Sequence, residues 1–260
     1  MKKKIIAFLL AFVLILSVIP FPAMAATLGQ GNCGDNLTWK LSDTGTLTIS
    51  GTGAMYDYNS SDAPWKIKTT GKIKKVVVKE GVTSIGDNAF WACSNLKSVA
   101  LPDSVTSIGW SAFSNCPIQE ITLPANLKTI EARAFETTNL SSIKIPSKVK
   151  TIGMMAFSGT KPETVAVPAS VTVLAGGDYT AFYHIETLKE IKVSSSNKNY
   201  SAADGVLFNK DKTQLMQYPQ AKSGSSYTIP SSVKIIEPGA FLRRKAYGNY
   251  HSEGCSGNQL

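Results

Sequence analysis

An Ala-Phe dipeptide returns along this chain at a nearly constant interval, and that interval constrains the fold more than any other feature. Its phenylalanines are Phe90, Phe113, Phe135, Phe157, Phe182 and Phe241, evenly spread up to Phe182 and followed by one long gap. An apolar-Pro pair keeps the same beat at Pro102, Pro124, Pro146 and Pro168, and returns at Pro230. One unit reads Leu-x-x-[Ile/Val]-x-[Leu/Ile]-Pro-x-x-[Val/Leu]-x-x-Ile-Gly-x-x-Ala-Phe. The clearest copy runs Leu96, Val99, Leu101, Pro102, Val105, Ile108, Gly109, Ala112, Phe113.

The spacing has a physical reading. In Val99-Ala100-Leu101 the alternating period of a strand turns Val99 and Leu101 inward and Ala100 outward. Pro102 lacks the N–H needed to continue a ladder and ends the strand. Val105 and Ile108 point back inward, and Phe113 fills the far side. No unit can bury its apolar face alone, so neighbours must stack into a solenoid with the phenylalanines in one internal column. The period lies in the range of about 20–29 residues expected of leucine-rich repeats.

These residues resemble the BspA-like class of bacterial leucine-rich repeats, also met in treponemal surface proteins. The resemblance rests on [Ile/Leu]-Pro-x-x-Val-x-x-Ile-Gly-x-x-Ala-Phe and on the turns Phe90-Trp91-Ala92-Cys93 and Phe113-Ser114-Asn115-Cys116. It covers about residues 73 to 241. It implies a leucine-rich-repeat solenoid of the α/β repeat class, β-dominated with short irregular convex segments. It also implies a secreted or surface-exposed protein, several members of the class being adhesins.

The repeats occupy 73–241, and their flanks depart from the pattern. Within 26–72, Leu37 to Leu41 and Thr46 to Ser50 alternate around the turn Ser42-Asp43-Thr44-Gly45, which predicts a β-hairpin cap over the open edge of the first repeat. At about 195–227 an insertion interrupts the period, with Asp204 to Phe208 and Thr213 to Tyr218 reading as a hairpin. Residues 242–260 form an aberrant tail with no trace of a repeat. Read one nucleotide later, Ala246 to Asn258 permits a stretch with Pro and Val in the repeat register, so the tail is expected to be frameshifted.

The formal charge of +9 invites a nucleic-acid reading. Residues 1–25, however, read as a signal peptide. Lys2, Lys3 and Lys4 precede the apolar run Ile5 to Ile19, and Ala23-Met24-Ala25 has the form of a cleavage site. Removing that leader deletes three Lys and leaves +6. Setting aside the tail deletes Arg243, Arg244, Lys245 and Glu253 and leaves +4. The expectation is therefore a secreted or extracellular protein, in some settings held at the cell surface. It should be monomeric, bind no nucleic acid, and keep no integral membrane span after signal cleavage.

No catalytic constellation emerges. The two histidines, His184 and His251, have no motif around them, and no metal-ligand spacing or phosphate loop exists. No cofactor and no metal is expected. Cys33, Cys93, Cys116 and Cys255 would sit in an oxidising compartment. Cys93 and Cys116 occupy equivalent places in adjacent repeats, which leaves a bridge and a pair of buried free thiols both open.

The partner-contact candidates are Trp91, Trp110, Arg133 and Met154 in the turns, because Trp and Arg are typical interface anchors. Lys72, Lys74 and Lys75 belong to a basic stretch that runs from Lys66 to Lys79. That stretch suits either anionic polymers or the protection of an edge strand. The sequence thus predicts a non-enzymatic recognition or adhesion module for an extracellular protein or glycan. The alternative is the scaffold or targeting portion of a larger secreted enzyme or wall-anchored protein whose C-terminal part is missing.

Overall fold

The computed structural model describes residues 25–60, 62–66, 70–224 and 226–241. The leader, His251, Cys255 and the tail fall outside them. Strands β1 (Thr27–Gly34), β2 (Leu37–Ser42), β3 (Thr46–Gly51) and β4 (Gly53–Ala54) come first. The repeats then give β5 (Lys75–Val78), β6 (Val82–Ile85), β7 (Ser98–Ala100), β8 (Ser107–Ile108) and β9 (Thr129–Ile130). They continue with β10 (Thr151–Ile152), β11 (Thr164–Val167), β12 (Val173–Leu174) and β13 (Glu190–Val193). After these come β14 (Tyr200–Ala203), β15 (Val206–Asn209), β16 (Gln214–Gln217) and β17 (Ile235–Ile236). The described residues contain no α-helix, only the 3₁₀ turn Thr70–Lys72, so the repeats form a leucine-rich-repeat solenoid built wholly from strands and turns.

Each repeat is one coil with three sides. The first side carries β5, β7, β11 and β13, with Val76, Val99, Val165 and Ile191 turned into the core. Parallel pairing joins β5 to β7 and β11 to β13, but no ladder spans the two coils between them, at 117–124 and 139–146. The second side is a continuous parallel sheet in the order β12-β10-β9-β8-β6-β4, with Ile85, Ile108, Ile130 and Ile152 buried in register.

The third side holds the aromatic column. Phe90, Phe113, Phe135, Phe157 and Phe182 are fully buried. Their rings stack at 5.2, 5.5, 5.4 and 6.1 Å between centroids. The backbone of this side explains its regularity. Left-handed φ recurs two residues before Phe90, Phe113, Phe135 and Phe157, at Asn88, Ser111, Arg133 and Met155, and two residues after Phe90, Phe113, Phe135 and Phe182, at Ala92, Asn115, Thr137 and His184, all between 51° and 59°. Non-glycine residues enter that region at a cost of about 1–2 kcal/mol each. Alternating the backbone in this way aims every second N–H at the next coil. Asn88, Phe90 and Ala92 donate to the carbonyls of Trp110, Ala112 and Ser114, and the pattern repeats down the stack. Three inter-coil bonds per repeat offset the strain.

Gly159 occupies the same place as Thr137, with φ 69°. Thr137→Gly is therefore expected to raise stability by about 0.5–1 kcal/mol, because a β-branched side chain is removed from a left-handed site. Denaturant titration checks this, and a destabilised variant would refute the strain argument.

The cap continues the stack at its N-terminal end. β1, β2 and β3 are antiparallel, and β3 then pairs parallel with β5, so the hairpin closes the first side while β4 closes the second. Trp65 extends the aromatic column into the cap. It is fully buried, stacks on Phe90 at 5.5 Å, meets Trp39 and Tyr58 edge-on, and its Nε1 donates to the Ala89 carbonyl at 2.9 Å. Gly86 permits this closure, because a Cβ there would collide with the Tyr56 carbonyl oxygen.

The long gap between Phe182 and Phe241 is divided by Tyr218, an aromatic anchor lacking the preceding alanine, which restores the ordinary spacing to Phe241. Its ring stacks on Phe241 at 5.2 Å and its N–H donates to the Ala240 carbonyl at 2.8 Å. β14, β15 and β16 form an antiparallel sheet, and β16 pairs parallel with β17. Gln217 ties this coil to the previous one, accepting from Thr180 and donating to the Phe182 carbonyl, both at 2.7 Å.

Candidate recognition face

Outward-facing side chains of the third side follow from the same turn geometry. The residue three before each Phe stands at the crest of its turn, giving the series Asp87, Trp110, Ala132, Met154 and, after a lengthened loop, Tyr179. Trp110 is 43% exposed, Met154 41% and Tyr179 46%, high values for such large apolar side chains. The Trp110 carbonyl accepts from Asn88 and the Met154 carbonyl from Arg133, so the inter-coil bonds hold the crest backbone while the side chains project. A surface ordered in advance loses little conformational freedom when it is covered.

Arg133 lies on the same side, half-buried beside this series. Trp91, one residue after Phe90, is also half-buried there, with the Lys66 Nζ 5.3 Å from its ring centroid. The structure thus brings Trp91, Trp110, Arg133 and Met154 onto one side of adjacent coils. It adds two residues that the spacing of the repeats did not single out: Tyr179 and Tyr183, in edge contact at 5.3 Å. His184 continues the cluster, with Tyr183 at 6.3 Å between ring centroids and Glu186 at 3.7 Å.

Lys72, Lys74 and Lys75 lie elsewhere. All three are exposed, and the Lys74 and Lys75 N–H groups donate to the Gly45 carbonyl in the cap turn. Lys66, from the same basic stretch, is buried at 7% exposure and donates to the Ser60 and Asn88 carbonyls at 3.0 Å each. The stretch is therefore not one basic patch.

A second feature is an open cleft of about 590 Å³ between β13 and the inserted strands, lined by Lys189, Lys192, Lys222, Glu190 and Asp204 among others. Its lysines are paired: Lys189 with Glu163 at 2.8 Å, Lys192 with Glu190 at 3.3 Å, and Lys222 with Asp204 at 3.0 Å. Among the described residues no cluster of three or more His, Cys, Asp or Glu could hold a metal ion. No helix among them is long and apolar enough to cross a membrane.

Residues 67–189 match the family described as BspA type leucine rich repeat region, in six copies. A leucine-rich repeat protein from Eubacterium ventriosum shares the fold with a TM-score of 0.77 and 38% identity, over 83% of this chain and 57% of that protein. The chain thus spans little more than half of that protein's length. A leucine rich cell surface protein from Faecalibacterium prausnitzii has the same fold, with a TM-score of 0.53 and 20% identity over 83% of this chain and 73% of that one. No curated protein matches the chain.

Proposed function

The chain belongs, through its repeat region, to the BspA type leucine-rich repeat family, and from that premise we propose that it is a non-catalytic recognition module working outside the bacterial cell. The observation that carries this reading is the exposed crest of Trp110, Met154 and Tyr179 beside Arg133. Trp, Tyr, Met and Arg are the residue types enriched where proteins meet, and large apolar side chains left exposed along one side of a stack suit an interaction surface. An extended protein segment running across the coils is the partner this surface fits best. The leader-like start of the sequence and the cell-surface description of the Faecalibacterium protein support an extracellular setting.

The test is a binding screen of the full chain against extracellular matrix proteins and glycans. For the protein ligand it finds, the triple variant Trp110→Ser, Met154→Ser, Tyr179→Ser is expected to lose at least about tenfold in affinity, since each anchor carries about 1 kcal/mol or more. Its melting temperature should stay near that of the parent, because these side chains lie outside the core. Unchanged affinity in a folded triple variant would defeat the assignment of this face. A ligand found only among glycans would defeat the choice of partner.

A further inference from the structure

Cys93 and Cys116 stand at equivalent places in adjacent coils, each at the third position after its Phe, Phe90 and Phe113. The rings of those phenylalanines are 5.2 Å apart, which sets the local pitch. Both thiols are fully buried and unbridged. In the next two coils the same place holds Thr138 and Thr160. Their hydroxyls donate within their own coil, to the Phe135 carbonyl at 2.9 Å and the Phe157 carbonyl at 2.6 Å. Cys116 departs from this pattern. Its thiol reaches the Phe90 carbonyl at 3.0 Å, in the preceding coil. The side chain therefore tips along the stack toward the preceding coil, whose equivalent place holds Cys93.

A basic group completes the cluster. The Lys66 amine is buried beside it, held by the Ser60 and Asn88 carbonyls under the Trp91 ring. The two thiols are made unequal by these neighbours. The neighbouring Cys116 thiol lowers Cys93 against the opposing effect of burial, and the nearby Lys66 amine adds to the lowering. Burial, followed by Cys93 itself, raises Cys116 well above its ordinary value. One thiol is thus the better nucleophile and the other keeps its proton until a later step. Cys33 sits apart from them, and burial pushes its thiol up to about 12.

We infer that Cys93 and Cys116 are a redox couple that closes into a disulfide between two adjacent coils when the protein meets a low-molecular-weight disulfide. The Cys93 thiolate attacks one sulfur of the oxidant, forming a mixed disulfide and releasing one thiolate, which takes up a proton. Cys116 then gives up its proton to water and displaces the second half of the oxidant from Cys93. The two cysteines lose two electrons and two protons, and the oxidant leaves as two thiols. Entry of the oxidant requires local opening of the coil, since both cysteines are fully buried.

The experiment uses the full chain, reduced and then equilibrated with oxidised glutathione, alkylated in denaturant, digested and mapped by mass spectrometry. The expected product is a cross-linked peptide pair containing Cys93 and Cys116, two hydrogen atoms lighter than the reduced pair. The oxidised protein should melt about 5–10 °C above its reduced form, because the closed loop restricts the unfolded chain. Recovery of both residues as alkylated thiols, or of glutathione adducts without a bridge, overturns the inference. Single variants check the order of attack. Cys116→Ser should trap glutathione on Cys93, and Cys93→Ser should leave Cys116 unmodified in the folded chain. The reverse pattern overturns the assignment of the nucleophile.

Discussion

Phe135→Ala is expected to destabilise the protein by about 3–5 kcal/mol, as large-to-small changes at fully buried aromatics do. Phe135 is the middle ring of the column, with Phe113 at 5.5 Å and Phe157 at 5.4 Å, so its loss opens a cavity walled by both neighbours and removes two stacking contacts. The cavity cannot close easily. The backbone on either side is pinned by bonds from Phe113 to Ala134 and from Phe135 to Ala156, so the coils cannot collapse toward each other without breaking them. Because a stacked-coil protein is a nearest-neighbour system, the damage should also be visible as a loss of cooperativity. The parent is expected to unfold in one transition, and in the variant that transition should broaden or split as the two halves of the stack uncouple. Urea titration followed by tryptophan fluorescence reads both effects. A loss below about 1 kcal/mol with an unchanged slope would mean that the column fills space without coupling the coils.

Trp65→Ala is the second large effect, again about 3–5 kcal/mol, but its signature is local. Trp65 joins the cap to the repeats by stacking on Phe90, by edge contacts to Trp39 and Tyr58, and by the indole hydrogen bond to Ala89. Trp65→Phe keeps a ring in the column and gives up the hydrogen bond, so it should cost about 1–2 kcal/mol. Hydrogen exchange separates this variant from Phe135→Ala. In Trp65→Ala, amides of β2 and β3 should lose protection while those around Phe135 and Phe157 keep theirs. Uniform loss across the whole chain would contradict a cap that docks as its own unit.

The repeat was legible wherever its beat was undisturbed. Phe90 to Phe182 share the alanine before the ring, and a regular period in the leucine-rich-repeat range requires stacked coils, so the column could be read from spacing alone. Trp65 escaped that reading because it belongs to the cap, where neither Ala-Phe nor apolar-Pro accompanies it. Its distance from Phe90 along the chain equals that between Phe157 and Phe182, and this was the available signal. Tyr218 escaped because the inserted strands push it well beyond one period after Phe182 and Gln217 replaces the alanine. Tyr179 keeps the same offset from Phe182, but a longer loop precedes it and the Met155 N–H reaches the Thr180 carbonyl instead, so the turn pattern that marks the other crests is absent there. Trp110 and Met154 were readable as turn residues, whereas the exposure that makes them a face depends on how the coils stack. The burial of Lys66 and the tilt of Cys116 depend on contacts between separate coils, distant along the chain, which no local pattern encodes.

The hydrogen-bonded sides of the solenoid are unequal, and this gives it a preferred direction of bending. Its second and third sides carry unbroken inter-coil backbone bonds from the coil of Phe90 to that of Phe182, while the first side has no ladder across the coils at 117–124 and 139–146. A load applied across the stack meets a stiff spine on two sides and a compliant seam on the third. Flexing should therefore open and close the seam while the turns that carry Trp110 and Met154 keep their spacing. A partner gripping those turns would feel a nearly rigid ruler, and the body behind it could bow under shear without loosening the grip.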